Sequence, residues 1–265
     1  MSLASPATVP LTLGGEATEA GAHEVLGGRI LFRIPGIGRL LIDSDRVVAA
    51  PDDEAGEEAL AWIMERHAAT MQELLHGRFS LWAAGVLLGG RAVAIAGTDS
   101  VGKSTVAAAL AQRGHPVLAD SALRIELREG LPIAHPDGRR HIELWPEAAR
   151  SVRIDPEDGE PLRDGLAARS FVFEAAEASP LAAVVILART ADSRQQAEVL
   201  SGGAAMEAVS QATQLLGLVD ATGARTAHFR WLAAVASNVR VIRMAIDRYS
   251  PRPGEVADAV LEAVA

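Results

Sequence analysis

The stretch that most constrains this chain is Gly97-Thr98-Asp99-Ser100-Val101-Gly102-Lys103-Ser104-Thr105. It fits the Walker A pattern GxxxxGK[ST] at every defined position. In such a loop the glycines let consecutive backbone N–H groups point inward at phosphate oxygens. The lysine reaches the β and γ phosphates, and the hydroxyl that follows it ligates magnesium. The device works only between a buried strand and a helix, and the flanking residues provide both. RAVAIA before the loop is continuously apolar apart from its first residue, and residues 103–112 are strong helix formers. Gly114-His115-Pro116 closes that helix, and PVLAD reads as the next buried strand. The unit is strand, loop, helix, strand, which is the start of an α/β nucleotide fold. Many chemistries share this cradle, so the reaction must be chosen by other residues.

Upstream of the loop, RILFRI, GRLLID and RVVAA are broken by PGIG and DSD, which predicts a small antiparallel β-meander over about 29–50. After the acidic start DDEAGEE, residues Leu60, Trp62, Ile63, Met71, Leu74 and Leu75 fall mostly on one helical face. LWAAGVLLGGRAVAIAG reads as two strands joined at Gly89-Gly90. Downstream, RIELREG and LPIAHPDGRRHIEL read as strands and a hairpin, with HPDG as turn chemistry. A charged, turn-rich stretch over 146–166 reads as a mobile loop. AVVILA and VRVIRM are further strands, and GGAAMEAVSQATQLLG, TAHFRWLAAVAS and PGEVADAVLEAVA are helices. The expected organisation is a flexible arm over 1–27, the meander and helix over 28–78, and a catalytic domain over 79–265.

Composition narrows the ligand. A net charge of −9 argues against broad attraction to nucleic-acid phosphates, and 4% aromatic content leaves few platforms for base stacking. A nucleotide is the better expectation. The chain has no cysteine, which removes disulfides, thiolate metal sites and cysteine nucleophiles and makes the reducing cytoplasm the expected compartment. No signal peptide and no membrane span are read from the sequence.

Asp120 ends the apolar run PVLA, so it places a carboxylate at the C-terminal edge of a strand beside the loop, where it can hold magnesium or accept a proton from an attacking hydroxyl. Here the residues resemble a family. GTDSVGKSTVAAALAQRGHPVLAD resembles the catalytic domain of HPr kinase/phosphorylase and the smaller HPr-kinase-like proteins, including those associated with lasso-peptide biosynthesis. IELWPEAAR, AVVILAR, LSGGAAMEAV, VRVIRM and FRIPGIGRLLI are similar to the pattern of the small members, so the resemblance spans about 29–245. It implies an α/β, P-loop-containing HPr-kinase-like catalytic domain, with ATP and Mg2+ as cofactors and a serine hydroxyl of a peptide or small protein as acceptor. It also implies assembly as a homo-oligomer.

Two positions depart from the family pattern. Ser121 stands where the second aspartate of a pair is found, and Trp82 stands at the family's histidine position. Asp120 is then left to act alone, or with Asp99 from the loop or Glu143 from the following hairpin, Glu143 being the further metal ligand. Arg169, and less directly Arg163, lie where a phosphate-binding basic residue is expected from the family, able to neutralise charge on the γ-phosphate. His76 and His115 read as helix-closing residues, and His135 with His141 lacks a third ligand for zinc. Trp145, Trp231 and Phe229 read as core anchors. The expected catalytic set is Lys103, Asp120 and Arg169. Two rivals remain at the sequence level: a nucleotide-binding sensor or assembly module that has lost transfer chemistry, and a small-molecule kinase or plain NTPase.

Overall fold

Apolar residues at spacings of four and three along residues 54–75 build one stripe, Leu60, Met64, Ala68, Met71 and Leu74, and all five are buried. The computed structural model describes residues 23–26, 28–162, 165–190, 196–247 and 252–265; the arm expected over 1–27 falls almost wholly outside these, as does Arg163. Contacts divide the described chain into two units. One holds residues up to Phe79 with Leu215–Phe229, the other Ser80–Gln214 with Arg230–Ala265.

In the first unit, β1 (His23–Leu26), β2 (Arg29–Ile34), β3 (Gly38–Ile42) and β4 (Val47–Pro51) form an antiparallel sheet in chain order. Helix α1 (Glu54–Leu75) starts at Asp53, whose carboxylate accepts the Gly56 N–H at 2.7 Å. Its stripe meets Leu40 and Ala49 of the sheet through Leu60 and Met64. His76 ends the helix, and its Nε2 lies 3.2 Å from the Ser44 carbonyl oxygen.

The second unit is organised around a nine-stranded sheet. Its elements are β5 (Phe79–Leu81), β6 (Ala83–Leu88), β7 (Arg91–Gly97), α2 (Lys103–Ala111), β8 (Val117–Ala119), β9 (Leu123–Arg128) and β10 (Leu131–His135). After these come β11 (His141–Leu144), α3 (Pro146–Ser151), β12 (Glu160–Pro161), β13 (Arg169–Val172), β14 (Ser179–Thr190), β15 (Gln196–Leu200) and α4 (Gly202–Gln211). The short α5 (Leu216–Val219) belongs to the first unit, and α6 (Arg225–Asn238), β16 (Arg240–Asp247) and α7 (Pro253–Val264) close the chain. β7, β14 and β16 run parallel; the continuous apolar runs of β7 and β14 fit burial on both faces, whereas the exposed Arg243 interrupts β16. β6 pairs antiparallel with both β7 and β8, so β8 runs in the direction of β7 with one strand between them. Gly97 and the residue after β8 therefore leave the sheet at the same edge. No helix among the described residues is long and apolar enough to cross a membrane.

Several expectations change. Strand β10 pairs with β9, not with β11, and the hairpin turns at Glu129-Gly130, both with positive φ. HPDG instead carries the chain out of the large sheet into a separate three-stranded one, β11-β13-β12. The helix read over GGAAMEAVSQATQLLG stops at Gln211 because the next residues bond to β5 and its neighbour: Trp82 N–H donates to Ala212 O at 2.7 Å, and Gln214 N–H to Ser80 O at 2.8 Å. The charged stretch over 146–166 contains α3, a 3-10 turn at Pro156–Asp158 and β12. Of the three expected core anchors, Trp231 is buried and donates its indole N–H to Ile125 O at 3.0 Å. Trp145, 56% exposed, precedes a surface helix, and Phe229, 61% exposed, lies on an outward helical position.

Candidate functional site

The buried strand β7 delivers Gly97 to the sheet edge, and Gly97 has no room for a side chain. A Cβ there would lie 2.6 Å from Leu187 O and 3.0 Å from Val101 Cγ1, and its φ of 141° is one that side chains resist. Beyond it, Ser100 and Gly102 have positive φ (54° and 111°) while Val101 between them does not. Such alternation turns successive N–H groups into one concavity, an anion-binding nest. Thr98, Asp99 and Ser100 are exposed, and Val101 is buried beneath them. The Asp99 carboxylate accepts the Ser100 N–H at 2.9 Å, and Arg189 at the end of β14 donates to Ser100 O at 2.6 Å.

Helix α2 begins directly after the loop, with Gly102 as its N-cap and no side-chain cap bond. The amides of Lys103, Ser104 and Thr105 therefore point out of the first turn without intrahelical acceptors, at the positive end of the helix dipole. Lys103 is only 8% exposed. Its ammonium donates to Gly97 O at 3.2 Å and Thr98 O at 3.0 Å and sits 4.6 Å from the centroid of the Trp82 ring. Burial pulls its pKa below the usual lysine range, against the opposing pull of Asp99 and Asp120. Trp82 is itself 40% exposed, so its ring roofs the ammonium from the solvent side.

Asp120 follows β8 and is held on three sides. Its Oδ1 accepts the Ser104 hydroxyl at 2.7 Å, its Oδ2 accepts the Glu143 N–H at 3.0 Å, and its own N–H donates to Asp137 Oδ2 at 3.3 Å. Ser104 and Asp120 thus converge, and Glu143 reaches Asp120 through its main-chain N–H. Asp137 is a carboxylate that sequence reasoning missed, because within HPDG it reads as turn chemistry. Its Oδ1 accepts the Arg139 N–H at 2.8 Å, and its own N–H donates to Leu118 O at 3.0 Å. Burial raises its pKa, and the charge of Asp120 acts in the same direction. Its sequence signal was its place two residues after the end of β10, the second strand of the hairpin that follows Asp120.

Arg169 is engaged elsewhere: its guanidinium donates to Gly159 O at 3.0 Å and Glu157 Oε2 at 2.9 Å, bracing the 156–161 segment. Ser121, at the position where the family has a second aspartate, is exposed with φ 78°. His135 lies beside Glu126 on the adjacent strand, while His141 opens a different sheet.

Among the described residues no three His, Cys, Asp or Glu side chains gather as a preformed metal cage. Magnesium bridging nucleotide phosphates needs only one or two protein oxygens, the remainder being phosphate and water. The hard oxygen pair of Ser104 and Asp120, next to a row of unpaired helix N–H groups, fits that demand.

No protein-family model matches the chain, and a comparison with curated proteins finds no match. Among solved structures, the Hpr(Ser) kinase/phosphatase from Coxiella burnetii is similar, with 11% identity and a TM-score of 0.36, covering 70% of this chain and 93% of that one. This is a distant structural likeness, too loose to carry residue roles or an activity from one chain to the other.

Proposed function

We propose that this chain is an ATP- and magnesium-dependent kinase that transfers the γ-phosphoryl group to a serine hydroxyl of a peptide or small protein. The observation that carries the reading is the convergence of Ser104 and Asp120 at 2.7 Å beside the buried ammonium of Lys103. In this reading the amides of residues 98–105 hold the phosphates and Lys103 neutralises their charge. Magnesium held by Ser104 and Asp120, with Glu143 as a further ligand, would screen charge on the β and γ phosphates. The acceptor hydroxyl gives its proton to Asp120 as its oxygen bonds to the γ-phosphorus. The bond to the β–γ bridging oxygen breaks, and ADP leaves with that electron pair.

The acceptor class rests on the resemblance of residues 97–120 to the HPr-kinase-like proteins, and a lasso-peptide precursor is one acceptor of that class. The test is intact-mass spectrometry of serine-terminated and serine-internal peptides incubated with Mg-ATP, with Lys103→Ala as control. A phosphoryl mass gain that vanishes in the control is the expected result. Nucleotide binding without transfer to any peptide or to water would favour the second reading, a nucleotide sensor. One observation favours that sensor: Trp82 already occupies the outer face of Lys103. Ser121→Asp separates the two, because restored transfer would identify a degraded site.

A further inference from the structure

Arg169, the arginine expected at the terminal phosphate, is bound to Glu157 and Gly159. A different arginine lies at the loop. β14 is parallel to β7 and in register so that Leu187 stands opposite Gly97. Arg189, two residues further on and still paired with Ile246 of β16, therefore lies past the C-terminal end of β7, alongside the loop that follows it. Ligands of open parallel sheets bind at this edge.

The side chain of Arg189 is exposed, and its Nη2 donates to Ser100 O at 2.6 Å. Ser100 is the non-glycine residue of positive φ between the exposed Asp99 and the buried Val101. A guanidinium carries five N–H donors in a planar fork, so one bond to a carbonyl leaves the rest of the fork for a second acceptor. The carbonyl bond holds that fork beside Ser100, in the loop between β7 and α2. A phosphate chain whose inner groups lay on the first amides of α2 would run along this loop, within reach of a long side chain anchored there.

We propose that Arg189 is the arginine that contacts the terminal phosphate of a nucleoside triphosphate held in the 97–105 loop, the role that sequence reasoning gave to Arg169. The inference rests on the reading of that loop as a phosphate cradle. It predicts discrimination between tri- and diphosphate, which a residue that merely pins the loop would not produce.

The test is calorimetric titration of the full chain and of Arg189→Gln with Mg-ATP and Mg-ADP. Glutamine keeps an N–H donor for Ser100 O and removes the charge. Thermal unfolding of both proteins establishes that the exposed substitution leaves the fold intact. The expected result is a loss of ATP affinity of roughly tenfold or more, the worth of a charge-assisted hydrogen bond, with ADP affinity changed less than about twofold. Arg169→Gln is expected to leave both affinities in place. Equal loss for both nucleotides would overturn the proposal and make Arg189 a structural pin, and no loss for either would overturn it as well. If the unsubstituted chain binds neither nucleotide, the cradle reading itself fails and Arg189 falls with it.

Discussion

Ser104 donates its hydroxyl proton to Asp120 Oδ1 across 2.7 Å, joining the first turn of α2 to the end of β8. The bond exists because β8 lies two strands from β7 yet runs in the same direction, so both chain exits share one edge. A hydroxyl and a carboxylate so placed need little movement to share a cation. Ser104→Ala is expected to abolish the magnesium dependence of nucleotide affinity, measured by titration with and without chelator. Asp120→Asn keeps the size of the side chain and an acceptor for Ser104 but removes the proposed base, so transfer should fall by about 10²- to 10⁴-fold. Full transfer activity in Asp120→Asn would exclude Asp120 as the base.

The ring of Trp82 over Lys103 makes a second prediction. A cation on an aromatic face contributes about 0.5–1 kcal/mol where exposed and more where desolvated. Lys103 is buried and Trp82 is 40% exposed, an intermediate case. When Lys103 turns to a phosphate, the ring loses its cation. Saturating Mg-ADP should therefore change tryptophan emission, and Trp82→Leu should remove most of that change although Trp62, Trp145 and Trp231 remain. An emission change that survives intact in Trp82→Leu would show that the ring does not sense the lysine.

Glycines 97 and 102 occupy equivalent places in the sequence pattern but different places in space. A Cβ on Gly97 meets the Leu187 carbonyl at 2.6 Å, a main-chain atom that cannot swing aside; on Gly102 it meets nothing within 4 Å. Gly97→Ala should destabilise the fold by about 2–3 kcal/mol through overpacking, on top of its φ strain. Gly102→Ala should cost only the strain of a positive φ, about 1–2 kcal/mol. Urea unfolding of the two variants checks the order, and equal losses would refute the packing argument.

How much of this was legible beforehand depended on whether the governing physics was local. The mixed α/β character, the strands flanking Gly89-Gly90 and the helix after Gly102 follow from runs of apolar residues, turn glycines and helix formers within a few positions of one another. What failed needed tertiary information. HPDG has good turn residues, yet whether the following strand returns to β10 or enters another sheet depends on which partner edge is open, and here β10 is taken by β9 and β14. The approach of Asp137 to Asp120 follows from that choice and was invisible for the same reason. Arg189 was hidden because a charged residue ending an apolar strand looks like any solvent-facing terminus until the register of β14 against β7 is known. Trp145 and Phe229 misled because rare large aromatics usually fill cores.

Asp137 provides a test that reads the site through stability alone. Its carboxyl is partly buried, and burial raises its pKa above the reference of 3.8; the charge of Asp120 adds to the rise, and the N–H groups of Arg139 and Asp120 oppose it. A carboxyl whose folded pKa is raised binds its proton more tightly in the folded state. The stability it contributes is fully present below 3.8 and is lost as pH climbs through the folded value. Asparagine at this position does not titrate. It also loses one of two acceptor oxygens for the Asp120 and Arg139 amides, but that loss is independent of pH. The difference in unfolding free energy, native minus Asp137→Asn, should therefore decrease from acid toward neutral pH, with all of the change above 3.8. Urea unfolding of both proteins at a series of pH values measures it directly. A difference that grows with pH would mean that Asp137 is stabilised as the carboxylate, its two amide bonds outweighing its burial, and that it stands ready to serve as a second anionic group beside Asp120.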